Sequence, residues 1–359
     1  MNSVIFMESS MNLGGQEMQL LAQMKELAFR GWSPVLICRI GSAISRVAQE
    51  SNLEIKHAQL RNAVDLKSIL KVYRVLKEVK ARAIILHSGH DAHIGALAAK
   101  LYRNFGQVKV IRMRTYQPGI PKAFPYNYLF DKTYTPSFFL RERILVNKAI
   151  NPTKITVMYP GINFKKICQD SNEELPSRID IWIKSHPGPL IVHGAMLRGE
   201  KGHNFFLNVF KRLLVKWPNL RYIIAGEGPE KDLIIKKINN LDICENVLIA
   251  GLVNPIAPLI KISTLAVLPS LREPLGMFQI ESQFLKIPTI VSDIDGIPET
   301  IIHKKTGLLV KPTENEWYEA INWSLSNLSE LQKYGEAGRE FVEDKFSISK
   351  NIDKLISDI

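Results

Sequence analysis

Short apolar runs rich in β-branched residues alternate along the chain with longer segments of helical period. In the first half these runs are SVIFM, WSPVLICRI, ARAIILHS, VKVIRMR and KITVMYPGI, and in the second half GPLIVHGAM, LRYIIAGEG, NVLIAGLV, TLAVLPS and IPTIVSD. Near-continuous apolar strands that are each followed by a helix are typical of parallel sheets covered on both faces. Two such sets in one chain predict an α/β protein with two doubly wound, Rossmann-like domains.

A segment rich in proline, glycine and polar residues interrupts this pattern after Tyr159. Such segments commonly link domains, and 359 residues exceed one typical core. We therefore predict an N-terminal domain over residues 1–165 and a C-terminal domain over residues 166–340. Residues 341–359 have a helical pattern and are expected to pack back on the first domain. Because ligands bind beyond the carboxyl ends of parallel strands, the two domains are expected to face each other across a cleft.

The composition is that of a globular protein, with 46% hydrophobic and 23% charged residues. The N-terminus carries no basic leader, and no apolar run reaches the roughly 18 to 20 residues of a spanning helix. We therefore expect a cytoplasmic protein. The three cysteines lie far apart and match no zinc or CxxC spacing, so we expect reduced thiols.

The net charge of +12 is concentrated in the first half of the chain. Residues 1–160 contain 23 Lys and Arg against 10 Asp and Glu, whereas residues 161–359 contain 24 against 25. An excess of positive charge on one half indicates an anionic partner, such as a phospholipid surface, a phosphorylated glycan or nucleic acid.

One predicted helix, within residues 61–82, contributes strongly to this charge. Its apolar and basic positions separate onto two faces, and the basic ones are Lys67, Lys71, Arg74, Lys77 and Lys80. Basic residues at an anionic membrane contribute roughly 1 kcal/mol each, so this helix could hold the protein at the inner leaflet. The alternative is the solvated face of an ordinary covering helix.

Two loops that follow predicted strands have residues suited to an anionic ligand. Gly14 and Gly15 open the first helix, where backbone N–H groups can approach an anion at the positive end of the helix dipole. Arg198 and Lys201 lie three residues apart in a glycine-flanked loop, and a guanidinium with an ammonium suits a departing diphosphate. Alternatively, the glycine pair forms an ordinary turn, and Arg198 and Lys201 are two solvated surface cations.

Glu273 and Glu281 are eight positions apart around Gly276 and an apolar run. Two helical turns take about 7.2 residues, so both carboxylates can face one site when the first lies in the loop before the helix. A carboxylate at the nearer position can accept from the hydroxyls of a sugar, and the further one from a ribose diol. The apolar surroundings of Glu281 predict a buried carboxylate, which needs a partner.

The combined motifs resemble glycosyltransferase family 4, the retaining nucleotide-sugar-dependent transferases of GT-B fold. PSLREPLGMFQIESQFLKIPTIVSDIDGIPETI resembles the E-x7-E region of that family, MLRGEKGH its phosphate loop and AGEGPE the strand-turn that follows. YPGIN, NLGGQE and LHSGHDAHIGALAAKL resemble further elements, in the family's order along the chain. Arg198 is displaced towards Lys201 relative to many members, and Asn163 replaces the more usual Asp.

The resemblance implies a role for each matching residue. Gly14, Gly15, Arg198 and Lys201 would contact the donor and its diphosphate, Glu273 the transferred sugar, and Glu281 the ribose, while the remaining donor contacts would come from Gly276, Met277 and Phe278. His87 would be the active-site histidine, with His90 and His93 as alternatives. Catalytic roles are thus expected for His87 and Glu273.

Arg112, Arg114 and Lys122 lie among aromatic residues in the half of the chain where GT-B enzymes hold the acceptor. Mixed basic and aromatic stretches suit either sugar stacking with phosphate contacts or nucleic-acid binding. We therefore predict that these three residues bind an anionic or lipid-linked glycan acceptor, such as one of the lipopolysaccharide core, and we expect no nucleic-acid partner.

The resemblance implies a retaining hexosyl- or other glycosyltransferase of cell-envelope or lipopolysaccharide synthesis, peripheral on the inner membrane face. The first half contains no carboxylate pair of a retaining hydrolase, and no His and Asp residues have the spacing of a metal site, which favours a front-face mechanism without metal or cofactor. The length argues against a phosphorylase, since phosphorylases are much longer, and sugar 2-epimerases lack this combination of loops. The remaining alternative is a basic lipid- or nucleic-acid-binding protein on a retired GT-B fold.

Overall fold

Two parallel β-sheets organise residues 2–117 and 119–359, which are the residues that this computed structural model describes. Contacts divide the chain into a first unit of residues 1–162 with 346–359, and a second unit of residues 163–345. The sequence-based division placed the boundaries at 165 and 340. Each unit contains one of the two sheets.

The first sheet has the strand order β3-β2-β1-β4-β5-β6-β7, with every neighbouring pair parallel. Its strands are β1 Ser3–Glu8, β2 Ser33–Cys38, β3 Glu54–His57, β4 Ala83–Leu86, β5 Lys109–Met113, β6 Lys132–Thr135 and β7 Ile155–Val157. The chain reverses its direction across the sheet between β1 and β4. In a doubly wound fold, such a reversal creates a crevice at the carboxyl ends of the two strands.

Helices cover both faces of this sheet. All six residues of β1 are buried, with Ile5 and Met7 in one apolar core and Val4 and Phe6 in the other. This two-sided burial explains why the strand sequences are almost continuously apolar. The helices are α1 Gly15–Phe29, α2 Ala43–Glu50, α3 Leu66–Val79, α4 Gly89–Tyr102 and α5 Phe138–Leu145.

The second sheet has the order β10-β9-β8-β11-β12-β13, again with parallel neighbours. Its strands are β8 Leu190–Gly194, β9 Arg221–Ala225, β10 Val247–Gly251, β11 Leu265–Leu268, β12 Thr289–Ser292 and β13 Leu308–Val310. Its helices are α6 Phe164–Asp170, α7 Ser177–Ser185, α8 His203–Leu214, α9 Lys231–Asn240, α10 Ala257–Lys261, α11 Phe278–Phe284, α12 Glu314–Ser326 and α13 Leu328–Lys345. Here the reversal lies between β8 and β11.

The C-terminal helix, α14 Ile348–Ser357, belongs to the first unit. Its Ile352 and Leu355 are fully buried in the core beneath α1. The Gln23 side-chain amide of α1 donates to Asn351 Oδ1 over 2.9 Å, and Asn351 Nδ2 donates to the Tyr159 carbonyl over 2.6 Å. Apolar burial and the two hydrogen bonds of the Asn351 amide therefore fix α14 on this unit.

The prediction of two doubly wound α/β domains is confirmed. Three strands have no counterpart among the predicted ones. β3 and β13 are edge strands of four and three residues, and β6 is the polar sequence KTYT. A short edge strand lacks the long apolar run that identifies the central strands.

Candidate active site

Sequence-predicted residues of the second unit follow β8 and β11, the two strands at which the chain direction reverses. Arg198 and Lys201 lie in the loop from β8 to α8, and Glu273 lies in the loop from β11 to α11. Because the carboxyl ends of neighbouring parallel strands share one edge of the sheet, both loops open onto the same crevice.

Backbone contacts hold these two loops together. The Glu200 carbonyl accepts hydrogen bonds from the N–H groups of Leu271 at 2.7 Å and Arg272 at 3.2 Å. Gly202 has φ +75°, and a Cβ on it would lie 1.8 Å from the Pro269 carbonyl oxygen. Only glycine allows this close approach, so Gly202 sets the position of Lys201 against the second loop.

The Lys201 ammonium donates a hydrogen bond to Glu273 Oε2, which joins the two predicted donor-binding residues in one ion pair. Both side chains are largely buried, with 20% and 10% exposure. The Glu273 N–H donates to Asp295 Oδ2 over 2.9 Å, and the Gly296 N–H donates to the Glu273 carbonyl over 3.1 Å. The loop after β12 therefore fixes Glu273 from the other side.

Asp295 was not among the site residues predicted from the sequence. Its signal is the run SDIDGIP directly after β12, where an acidic residue precedes a glycine in a tight turn. Asp295 adopts φ +46°, a left-handed conformation that Asp tolerates better than most residues.

Arg198 remains outside the Lys201–Glu273 pair. Its side chain is 49% exposed, and the charged partner nearest to its guanidinium is Glu200 at 3.9 Å. Arg198 and Lys201 thus share one loop, but only Lys201 is fixed against Glu273. An exposed guanidinium at the end of a strand is free to adjust to an anion.

Glu281 lies on α11 and is half-buried. Burial, reinforced by the negative charge of Asp170, raises the pKa of its carboxyl group to about 7. A carboxyl with this pKa exchanges its proton near neutral pH. Perturbed carboxyl groups of this kind are enriched in functional sites.

The residues between the two glutamates form the turn into α11. Gly276 has φ +85°, and a Cβ there would lie 2.5 Å from the Gln279 side-chain amide. Met277 is half-buried, while the Phe278 ring is buried and lies against Gly194, where a Cβ would come within 2.5 Å of the ring. The close approach of α11 to β8 therefore requires glycine at Gly276 in the turn and at Gly194 in β8.

Two histidines are buried beneath the loop from β8 to α8. The rings of His193 and His203 stack with centroids 4.2 Å apart, and His193 Nδ1 lies 2.9 Å from the Tyr222 hydroxyl. Burial lowers the pKa of both imidazoles, and the positive charge of Lys201 lowers it further, so both are neutral. They support the loop without adding charge. Neither histidine was among the residues predicted from the sequence.

In the first unit, a polar network lies where β1 and β4 end. Glu8 is fully buried and accepts hydrogen bonds from the Ser10 N–H at 2.8 Å, from Gln16 Nε2 at 2.7 Å and from the Ser88 hydroxyl. Gln16 Oε1 accepts from the Thr115 hydroxyl at 2.6 Å. Glu8 therefore ties together the starts of α1 and α4 and the loop after β5. It was not among the predicted site residues.

The glycine pair opens α1 as predicted, but the two glycines differ. The Gly14 N–H donates to Glu17 Oε2 over 2.7 Å in a capping box, so this donor is occupied. A Cβ on Gly15 would meet no atom within 4 Å, so the space above Gly15 is open. Of the pair, Gly15 offers the more accessible backbone.

The three histidines near β4 differ in exposure. His87 is 5% exposed, Nδ1 lies 3.3 Å from the Met7 carbonyl oxygen, and burial lowers the pKa of its imidazole to about 3. His87 is therefore neutral and largely enclosed. His90 is exposed, and His93 is half-buried with its Nδ1 3.1 Å from the Gly89 carbonyl oxygen.

A cavity of about 200 Å³ in the first unit is lined by all three predicted acceptor-binding residues, Arg112, Arg114 and Lys122. His93 and Tyr126 also line it. Arg112 is 3% exposed; it donates to the Ser88 carbonyl and lies 3.8 Å from Asp91. Burial and the charge of Glu8 raise the pKa of the Asp91 carboxyl well above its usual range. Arg112 is thus part of the buried framework behind the cavity.

Arg114 occupies a more open position in this cavity. Its Nε and Nη2 donate to Gln117 Oε1 over 3.2 and 2.9 Å, and the Tyr126 hydroxyl donates to the same oxygen over 3.2 Å. Lys122 is exposed at the rim. Ile120 also lines the cavity and is 77% exposed. Phe124 and Tyr128, on the segment that contributes Pro125 and Tyr126 to the lining, are 62% and 71% exposed. The cavity therefore combines cationic side chains with an exposed apolar one, Ile120.

Within residues 2–117 and 119–359, no cluster of three or more His, Cys, Asp or Glu side chains is arranged to hold a metal ion. Metal independence stays a prediction from the sequence.

Part of the chain matches a family of known proteins. Residues 179–341 match the family of glycosyl transferases group 1. The chain is 27% identical over 307 residues to the capsular polysaccharide biosynthesis glycosyltransferase CapM of Staphylococcus aureus, covering 79% of this chain and 77% of CapM.

A second relative is the UDP-Gal:alpha-D-GlcNAc-diphosphoundecaprenol alpha-1,3-galactosyltransferase of Escherichia coli. The two sequences are 23% identical over 304 residues, which cover 81% of this chain and 78% of the relative. Among solved structures, Anabaena Alr3699/HepE in complex with UDP superposes with a TM-score of 0.84 at 15% identity, covering 99% of both chains. This structural likeness supports the GT-B fold. The resemblance to glycosyltransferases seen in the sequence is confirmed, because residues 179–341 match the family of glycosyl transferases group 1.

Proposed function

We propose that the protein is a retaining glycosyltransferase that moves a hexosyl group from a nucleotide-sugar to an anionic, lipid-linked glycan acceptor in cell-envelope synthesis. The observation that carries this proposal is the Lys201–Glu273 ion pair at the reversal point of the second sheet. A cation and a carboxylate fixed side by side match the two halves of such a donor, the diphosphate and the sugar hydroxyls.

In the donor complex, the Lys201 ammonium and the exposed Arg198 guanidinium would bind the diphosphate. Glu273 would then accept from hydroxyls of the transferred sugar, and Glu281 from the ribose. These assignments follow the resemblance to the family. The contacts described above support them, because three loops hold Lys201 and Glu273 in place before a ligand binds. Such preorganisation reduces the ordering that binding requires.

The proposed chemistry is a front-face substitution. The bond between the anomeric carbon and the diphosphate oxygen breaks, and the acceptor oxygen bonds to the same face of that carbon. The acceptor proton passes to the departing diphosphate. Lys201 and Arg198 stabilise the negative charge that the diphosphate gains, which is the main contribution expected from the protein. His87, neutral at the end of β4, stays a predicted active-site residue.

The first unit would bind the acceptor in the cavity lined by Arg114 and Lys122. Two cations suit a phosphate or carboxylate, and the exposed Ile120 of the lining suits an apolar chain beside it. The names of CapM and of the galactosyltransferase for diphosphoundecaprenol substrates agree with an envelope acceptor of this chemistry.

Retention can be tested before the acceptor is known, because glycosyltransferases transfer slowly to water. The purified protein is incubated with α-linked UDP-, GDP- and ADP-sugars, and the first sugar released is followed by proton NMR before its anomers equilibrate. The proposal predicts release of the α anomer from one donor class. Glu273→Gln should slow this release about 100-fold, since it removes a charged hydrogen bond to the sugar.

Initial release of the β anomer would contradict retention. Absence of release from every nucleotide-sugar would contradict nucleotide-sugar dependence. Glu319→Gln serves as the matched control, because Glu319 is an exposed glutamate of α12 in the same unit.

A further inference from the structure

Helix α3 has apolar side chains on two faces, and only one of them is used in the core. Ile69, Val72 and Leu76 pack in the buried cluster of the first unit. Leu66 and Leu70, one turn apart, are 72% and 51% exposed. An ordinary covering helix places polar residues at such positions, so this second apolar stripe needs a separate explanation.

The stripe continues beyond the helix. Val64, just before α3, is 69% exposed, and Phe105, just after α4, is 67% exposed. The Phe105 ring meets the Tyr73 ring edge-on with centroids 6.1 Å apart, and the Lys77 ammonium lies 5.4 Å from the Phe105 centroid. We call the four residues Val64, Leu66, Leu70 and Phe105 the apolar row.

Basic residues flank the apolar row. At 100° per residue, Lys67, Lys71 and Arg74 occupy the exposed arc of α3 next to Leu66 and Leu70. Residues 61–109 contain ten Lys and Arg against three Asp and Glu, a net charge of +7.

The three acidic residues of this segment are engaged elsewhere. The Glu78 carboxylate pairs with Lys56 at 2.9 Å, Asp65 accepts from the Ser68 N–H and hydroxyl at the start of α3, and Asp91 is buried. The positive charge beside the apolar row is therefore not neutralised by neighbouring carboxylates of this segment.

We propose that this face of α3, formed by the apolar row with Lys67, Lys71 and Arg74, docks on the surface of a bilayer that contains anionic lipids. An apolar stripe with basic residues at its side is the arrangement of helices that lie in the membrane interface. The apolar row would enter the boundary between headgroups and acyl chains, and the cations would meet lipid phosphates.

A bilayer explains both parts of this face. A nucleic acid would use the cations but leave the exposed aliphatic side chains Val64, Leu66 and Leu70 in water. A protein partner would have to supply an apolar groove and an acidic rim together. In the described part of the chain, no helix is both long and apolar enough to cross a membrane, so contact would be at the surface.

This inference goes beyond the proposed reaction, because it involves none of the donor- or acceptor-binding residues. Binding is measured by flotation with phosphatidylcholine vesicles, with and without phosphatidylglycerol, at low and high salt. The wild type should float only with the anionic vesicles. High salt should weaken this binding, since it screens exposed charges.

Two variants separate the contributions. Each cation at an anionic surface contributes roughly fivefold to binding, so Lys67→Gln/Lys71→Gln/Arg74→Gln should bind about 100-fold more weakly. Leu66→Ser/Leu70→Ser removes the centre of the apolar row and should bind about tenfold more weakly. Because all five side chains are exposed, the variants should keep the thermal midpoint and the nucleotide affinity of the wild type.

Matched controls change the same chemistry in the second unit. Lys236→Gln/Lys305→Gln/Lys333→Gln removes three exposed cations, and Val215→Ser/Leu233→Ser removes two side chains that are 88% and 58% exposed. Both controls should float like the wild type. The proposal would be overturned if a control lost as much vesicle binding as its matched variant. It would also be overturned if the wild type did not bind vesicles, or bound them equally without phosphatidylglycerol. Binding of a thirty-nucleotide RNA or of a DNA duplex is measured as well. If a nucleic acid binds more tightly than the vesicles, and the triple variant abolishes that binding, the partner of this face is a nucleic acid and not a bilayer.

Discussion

At the scale of residues, the central feature of the second unit is the ion pair between Lys201 and Glu273. Lys201 and Glu273 neutralise each other while they are largely buried, and neither would be stable there alone. A diphosphate that binds Lys201 would take over part of this role and release Glu273 to accept from a sugar. The pair thus holds both side chains in one fixed arrangement.

Glu281 predicts a pH dependence of stability. Its carboxyl has a pKa of about 7 in the fold against an ordinary value of 4.5, so between these values the folded state holds a proton that the unfolded state has lost. The protonated Glu281 carboxyl therefore favours the folded state at low pH, and the free energy of unfolding falls as the pH rises from about 4.5 to about 7. Glu281→Gln should be more stable than the wild type by about 1–3 kcal/mol at pH 8, and not at pH 4.

Urea unfolding of both proteins at each pH measures this difference. The control is Glu319→Gln, an exposed glutamate whose substitution should leave the pH profile unchanged. Parallel profiles of Glu281→Gln and the wild type would show that the carboxyl of Glu281 titrates normally.

Arg114 and Lys122 give a prediction for the cavity of the first unit. Arg114→Gln/Lys122→Gln should weaken binding of dodecyl phosphate about tenfold or more, because it removes two charge-assisted contacts while keeping most of the side-chain volume. Dodecyl maltoside, an uncharged amphiphile, should bind both proteins equally. Calorimetry below the micelle concentration measures both ligands.

Arg112 is left unchanged in this experiment, because its buried guanidinium lies beside Asp91 and its removal would perturb the fold. Arg178→Gln/Lys236→Gln changes the same charge in the second unit and is expected to have no effect. If dodecyl phosphate binds the cavity variant as tightly as it binds the wild type, this cavity is not the anion site.

At the scale of elements, the loop from β8 to α8 depends on one glycine. Gly202→Ala would force a Cβ against the Pro269 carbonyl at a left-handed φ, and should lower the free energy of unfolding by roughly 2–4 kcal/mol. It should also weaken nucleotide binding, since the displaced loop moves Lys201 away from Glu273. Thermal unfolding and nucleotide titration of the variant measure the two effects.

Gly199→Ala is the matched control in the same loop. A Cβ on Gly199 would lie 2.8 Å from Glu230 Oε1, the end of a flexible side chain that can move away. We expect a loss below about 1 kcal/mol and unchanged nucleotide binding. Similar effects of both substitutions would mean that the contact with Pro269 does not position the loop.

The elements also show how far the sequence determines the fold. Central strands such as β1 and β12 were predictable because helices cover both of their faces, which requires continuous apolar runs. β6 was not, because Thr133 and Thr135 are polar and yet fully enclosed. The amphipathic pattern placed α3 correctly within residues 61–82.

The candidate site was predictable where chemistry and spacing coincide in the sequence. Lys201 and Glu273 are 72 residues apart, yet both follow strands that flank the reversal point, and the structure joins them. The support of the site was not predictable. Asp295 and His203 contact their neighbours through the packing of loops in the second unit, and Glu8 does so separately in the first unit. No local spacing in the sequence reports such contacts.

At the scale of the whole molecule, the positive charge belongs to one unit. Residues 1–162 with 346–359 contain 25 Lys and Arg against 12 Asp and Glu, whereas residues 163–345 contain 22 against 23. The proposed functions divide in the same way. The basic unit carries the cationic cavity and the docking face of α3, and the nearly neutral unit carries the Lys201–Glu273 pair.

The central claim is that the second unit binds a nucleotide-sugar through Lys201. The most direct test is calorimetric titration of UDP, GDP, ADP and CMP into the wild type, Lys201→Met and Lys236→Met, in which Lys236 is an exposed lysine of α9 in the same unit. We predict that one nucleoside diphosphate binds the wild type and Lys236→Met equally, and Lys201→Met at least about tenfold more weakly. Equal binding to all three proteins, or binding of no nucleotide by the wild type, would contradict the claim.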